Sequence, residues 1–242
     1  MNDYVLFGVL PYFSVVALVL GSAFRIAAAP PAVAPAAASG GGQGAARQAR
    51  IIALCVFALA AGHLVLLIAP DGVLRWNRSM ARLLLAEGVG ICLGSLSLLV
   101  VAQSIWRRLA GSSAQSQPVG DVIASTLLAT EIATCLLLAV FYRWASSWSV
   151  VTLTPYAVSV LKLVPRVELV AATPFLVRLH IFCACAILVV VPFTTVGSLA
   201  LVTVRRVVEA ALAPAYASAR TGITARIGKT VREPDSFHEE GS

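Results

Sequence analysis

Leu176-Val-Arg-Leu-His180-Ile-Phe-Cys-Ala-Cys-Ala-Ile-Leu-Val-Val-Val-Pro-Phe193 is an apolar run of membrane length with an arginine and a histidine near its beginning. An ionisable side chain inside a bilayer segment is costly to place there, which makes it a functional position by default. The chain holds three histidines: His63, His180 and His238. His63 also lies in an apolar run, Phe57-Ala-Leu-Ala-Ala-Gly62-His63-Leu-Val-Leu-Leu-Ile-Ala-Pro70. Two neutral imidazoles on different helices, facing one iron from opposite sides, are the ligand set of a bis-histidine haem b. The rest of the chain reads as a frame that brings these two together.

Composition sets the solvent. Of 242 residues, 59% are hydrophobic and 12% charged, against about 25% charged in a soluble domain. Crossing roughly 30 Å of hydrocarbon takes about 20 residues of helix. Stretches of that length lie at 4–24, 51–69, 83–105, 122–141 and 174–203. The fold class expected is therefore all-α, an integral membrane bundle of five transmembrane helices. The first stretch lacks the positive leader and small-residue cleavage site of a signal peptide, so it reads as a retained helix. The formal charge of +7 sits at segment ends, where it reports membrane topology rather than a nucleic-acid partner. With the N-terminus outside, the cytoplasmic side carries Arg25, Arg47, Arg50, Arg107, Arg108 and the tail's Arg205, Arg206, Arg220, Arg226, Lys229 and Arg232. The outer side carries Arg75, Arg78, Arg82, Arg143, Lys162, Arg166 and Arg178. That excess favours N-terminus outside and C-terminus cytoplasmic.

Along the chain, residues 1–204 form the membrane domain and 205–242 a basic cytoplasmic tail. Residues 27–46 are almost pure Ala, Pro, Gly and Gln, a composition that reads as a flexible loop. Pro11 interrupts the first helix, and the second stops at Pro70-Asp-Gly72. Gly88, Gly90 and Gly94 on the third allow close helix packing. Residues 142–173, with Trp144, Trp148 and Tyr156, read as an interfacial segment that Pro155 and Pro165 divide into short pieces. The five cysteines (55, 92, 135, 183 and 185) all lie in apolar stretches without a CxxC, and read as packing residues rather than zinc or iron–sulfur ligands. Cys183 and Cys185 are two apart, which points them to different helix faces.

Depth links the two histidines. The second helix runs outward, with His63 seven residues before Pro70. The fifth runs inward, with His180 six residues after Pro174. At about 1.5 Å per residue, both imidazoles sit roughly 9–10 Å below the outer face. Gly62 beside His63 leaves room for a flat macrocycle. The alternative is two unrelated histidines, each bonded to a backbone carbonyl.

Several motifs fall in order around them. Leu10-Pro-Tyr-Phe13 and Gly21-Ser-Ala-Phe-Arg25 lie on the first helix, Gly62-His63 with Pro70 on the second, Arg107-Arg108-Leu109 and Gly120-Asp121 after the third, and Arg178-Leu-His180 with Pro192-Phe193 on the fifth. In this order and spacing the chain resembles the cytochrome b (gamma) subunit of membrane-bound respiratory nitrate reductase and its relatives. The resemblance implies two stacked b haems between helices 2 and 5, with His63 and His180 matching the ligands of the outer one. The inner haem's ligands would fall at Ala53 and Ser198, neither of which binds iron. One haem b, near the outer face, is therefore expected. The resemblance also implies quinone or quinol as exchangeable substrate. The partners implied are iron–sulfur and molybdenum, or other metal, catalytic subunits, and the location a multi-pass position in a prokaryotic cytoplasmic membrane. With the inner half of the path lacking iron, those partners are expected to dock on the outer face, the alternative being a cytoplasmic partner held by the basic tail from Arg205.

Lesser candidates surround the pair. Arg78 and Arg82, at the outer start of the third helix, are expected to steady a quinone carbonyl or a haem propionate, or else to snorkel to the interface. Arg178 is a propionate partner candidate. Glu87 and Glu131 are proton-relay candidates, Glu87 alternatively pairing with Arg82 and Glu131 alternatively a hydrogen-bonded acid within the bundle. No phosphate loop or nucleophile motif points to substrate chemistry on this chain. The leading function is a non-catalytic electron-transfer subunit of an oxidoreductase complex. A structural membrane anchor without a functional haem is the alternative, and a transporter the third class.

Overall fold

With no water in the bilayer core, each backbone N–H and C=O must be satisfied within its own segment, and for runs like these the helix does so. The computed structural model of the chain describes residues 3–28, 43–110, 119–142, 144–194 and 197. All regular elements among the described residues are helical: α1 (Leu10–Ala28, led in by a π turn over Val5–Val9), α2 (Gln43–Ile68), α3 (Pro70–Trp76), α4 (Met80–Ala110), α5 (Val119–Phe141), α6 (Ala145–Leu161), α7 (Glu168–Ala171) and α8 (Phe175–Val190, closed by a 3₁₀ turn over Val191–Phe193). Among the described residues, four stretches are long and apolar enough to cross a membrane: Val5–Ala28, Met80–Arg107, Val119–Phe141 and Phe175–Phe193. The segment Leu54–Ile68 with α3, bent by 102°, makes up to a fifth. Large apolar side chains such as Leu20, Phe24, Phe57, Leu99 and Phe141 are exposed along these helices, as lipid-facing positions are, since acyl chains are as apolar as leucine. The chain is an all-α membrane bundle.

Two expectations change. The stretch 142–173 is mostly helix: Pro155 sits inside α6 without breaking it, and Pro165 falls in the turn between α6 and α7. Gly88 and Gly90 are not packing glycines, because a Cβ at either would meet nothing within 4 Å. Gly94 is one, since a Cβ there would come within 2.8 Å of Leu136. Of the loop read over 27–46, residues 27–28 end α1 and 43–46 begin α2, and the remainder lies outside the described residues. So do most of the expected span 174–203 beyond Thr194, including Ser198, and the tail 205–242. The chain divides into two units, Met1–Ser198 and Leu199–Ser242, and the second lies wholly outside the described residues.

Packing within the first unit is a closed circuit. α8 lies between α1 and α5, α4 packs on α5 and on α2, and α2 continues the circuit to α6. Two tyrosines join α6 back to the first helix. The Tyr12 hydroxyl donates to the Val160 carbonyl (2.9 Å), and the Tyr156 hydroxyl donates to the Phe7 carbonyl (2.7 Å). Pro11 has no N–H to offer that carbonyl four residues back, so Tyr156 supplies the missing donor. Phe7, Tyr156 and Val170 form a buried core at this junction. Hydroxyls inside the apolar helices bond to their own backbone, as Ser14 does to Leu10 (2.7 Å) and Ser97 to Leu93 (2.6 Å). Cys183 and Cys185 are both buried, so α8 is covered on two faces, as its place between α1 and α5 requires. In this circuit α2 and α8 stand opposite each other.

Candidate functional site

The circuit places His63 of α2 across from His180 of α8, with ring centroids 6.0 Å apart and ring planes inclined by 29°. Hydrogen bonds assign the tautomer of each ring. His63 Nδ1 lies 2.8 Å from the Leu59 carbonyl, one helical turn back. A carbonyl only accepts, so Nδ1 carries a hydrogen, and in the neutral ring Nε2 keeps the lone pair. His180 Nδ1 lies 3.1 Å from the Thr134 hydroxyl. That hydroxyl gives its own hydrogen to the Glu131 carbonyl (2.8 Å), so it accepts from His180. Glu131 Oε1 stands 3.3 Å from the same Nδ1. In its neutral form each ring thus directs the lone pair of Nε2 away from its anchor.

The surroundings differ on the two sides. Glu131 and Thr134 lie on one face of α5, three residues apart, and α5 packs closely on α8. The His180 side chain is 13% exposed and that of Glu131 18%. Glu131 Oε2 is buried with no partner among the described residues. His63 is exposed, and a Cβ added at the neighbouring Gly62 would meet nothing within 4 Å. That face of α2 is open.

The other candidates are placed as follows. Arg82 holds its guanidinium over the Trp76 ring, 5.3 Å from the centroid. Arg78 lines a polar hollow of about 390 Å³ with Asp71, Leu74 and Arg75. Arg178 points its Nη1 to Asp3 Oδ1 at 3.9 Å, while its Nε is buried without a partner among the described residues. Glu87 does not pair with Arg82. Its Oε1 accepts from the Ser146 N–H (2.8 Å) and hydroxyl (2.7 Å), so a carboxylate of α4 caps the N-terminus of α6. Asn77 adds bonds from its Nδ2 to the hydroxyls of Ser146 and Ser147, each 2.9 Å.

A family model described as nitrate reductase gamma subunit matches residues 3–211. The chain belongs to the nitrate reductase gamma subunit family. As a member it is a multi-pass membrane subunit of a respiratory complex, in a family of haem b cytochromes with catalytic and iron–sulfur partner subunits. No curated protein matches the chain significantly.

The gamma-family residues present fit a haem b. The two imidazoles stand 6.0 Å apart centre to centre on different helices, and imidazole is a ligand type that haem iron takes. Each ring carries its hydrogen on the nitrogen that is anchored to protein, which leaves the other free to ligate. Thr134 went unnoticed in the sequence. Its signal was its spacing of three from Glu131, which puts a hydroxyl and a carboxyl on one helix face.

Proposed function

We propose that this gamma-family chain passes electrons between the quinone pool and a partner redox subunit through one haem b held by His63 and His180. The observation that carries the reading is the facing pair of Nδ1-anchored imidazoles at 6.0 Å. Bound there, a haem supplies one-electron chemistry. His63 and His180 would hold the iron, with Leu59, Thr134 and Glu131 anchoring the two rings. Ala53 and Ser198, where the two-haem relatives that the chain resembles carry ligands, supply no second pair. Pyridine haemochrome analysis of the purified subunit should give one haem per chain, and His63→Ala should lose it. Two haems, or full retention in that variant, refutes the reading.

The proposal extends to what lies around the pair. Quinone exchanges near Arg78 and Arg82, whose cationic groups suit a quinone carbonyl. Arg82→Ala then slows quinol-to-haem electron exchange while leaving haem content unchanged; an unchanged rate makes Arg82 an anchor only. Glu87, capping α6 beside this region, and Glu131, beside His180, serve as proton carriers in the same reading. Arg178 serves as a propionate partner.

The topology proposed has the N-terminus outside a prokaryotic cytoplasmic membrane, residues 1–204 as the membrane domain, and 205–242 as a basic cytoplasmic tail. The catalytic partner, with iron–sulfur and molybdenum or other metal centres, docks on the outer face over α6 and α7. Protease treatment of right-side-out vesicles tests this. A partner digested only after the membrane is opened places docking on the inner side.

A further inference from the structure

We infer that Thr134 is the positioning residue that sets the electron-donating strength of His180, with Glu131 as a second acceptor on the same nitrogen. The inference rests on haem ligation by His63 and His180 and goes beyond it. The two rings are anchored differently. His63 Nδ1 meets one backbone carbonyl, Leu59 O, on its own helix at 2.8 Å, an acceptor no substitution at that position can remove. His180 Nδ1 meets side chains of another helix: the Thr134 hydroxyl at 3.1 Å and Glu131 Oε1 at 3.3 Å. The Thr134 hydroxyl is itself fixed, because it spends its hydrogen on the Glu131 carbonyl at 2.8 Å and is 3% exposed as a residue. It therefore presents a lone pair to His180 in a place that water does not reach.

An acceptor on the far nitrogen of a ligating imidazole fixes the ring's orientation and raises its basicity. A more basic axial ligand stabilises the oxidised iron over the reduced one, which lowers the reduction potential. The asymmetry thus makes α5 the element through which this chain tunes its haem, since α2 supplies only main chain. Thr134 touches neither iron nor substrate and acts through His180.

The test is potentiometric titration of the purified parent and of Thr134→Val, Thr134→Ala and Thr134→Ser, each first assayed for haem content. Valine keeps the shape and loses the lone pair. The valine and alanine variants should retain low-spin haem with a more positive midpoint potential, and the serine variant should restore the parent potential. Parent-like potentials in haem-loaded valine and alanine variants overturn the inference, as does a serine variant shifted as far as valine. Absence of haem from the parent itself overturns the ligation reading instead, so the two failures are distinct.

Discussion

Replacing Tyr156 by phenylalanine removes one oxygen and leaves the Phe7 carbonyl, freed by Pro11, without a donor in a buried junction. Tyr156 is 5% exposed, and its bond to Phe7 is 2.7 Å long and buried. A buried acceptor left unsatisfied costs about 1–3 kcal/mol, whereas interhelical side-chain bonds in membranes average about 0.6 and reach roughly 1.7 kcal/mol. The Pro11 gap argues for the upper part of the membrane range, about 1–2 kcal/mol, because no backbone N–H stands ready to replace the hydroxyl. At about 2–4 °C per kcal/mol for a chain of this size, Tm should fall by roughly 2–8 °C. The assay is thermal unfolding of the purified protein in detergent, run as a double-mutant cycle with Pro11→Ala. Alanine restores an N–H at position 11 that can bond the Phe7 carbonyl, so Tyr156→Phe should cost under about 0.5 kcal/mol in that background. Equal costs in both backgrounds, or no cost in the parent, refute the assignment of Tyr156 as the substitute donor.

Three further outcomes are expected. Gly21→Ala puts a Cβ 2.9 Å from Pro192 Cβ and 3.2 Å from the Phe193 ring; overpacking against so rigid a neighbour should cost about 1–3 kcal/mol, read as a lower Tm, and an unchanged Tm would show that the 3₁₀ turn yields. Glu87→Ala strips two bonds from the N-terminus of α6 and should cost about 1–3 kcal/mol, with Glu87→Gln, which keeps an accepting oxygen, falling between; equal stability of all three proteins would mean that the cap is idle. Glu168 is held below the ordinary carboxylate value of 4.5 by its bond to the helix backbone and then by Arg166. A group whose folded pKa is lowered stabilises the fold at neutral pH and loses that contribution as pH falls through the folded value. Any Tm difference between the parent and Glu168→Gln should therefore be present at neutral pH and close below about 4.5; being fully exposed, the pair should make it small, and a difference that widens in acid contradicts the sign.

The spans and the pair of histidines were legible in the sequence, and the contacts that give that pair its character were not. Leu176–Phe193 reads as a span because apolar length is a property of the run itself. His63 and His180 could be matched because depth along a helix follows from counting residues to its end. Rotation about the helix axis is a different quantity. A bundle can be turned many ways at equal depth, and packing chooses among them. That choice brings Glu131 and Thr134 of α5 against His180, gives Glu87 to Ser146 instead of Arg82, and leaves Gly88 and Gly90 facing open space while Gly94 meets Leu136. The same holds for 142–173, where Pro155 suggested a break. Proline removes one hydrogen bond from a helix, and whether the helix survives depends on what surrounds it. Here α6 is held by Glu87 at its start and by Tyr156 and Tyr12 along its length. Apolar length and residue depth are one-dimensional and stand in the sequence; which faces meet depends on helices far apart in the chain, so only tertiary packing decides it.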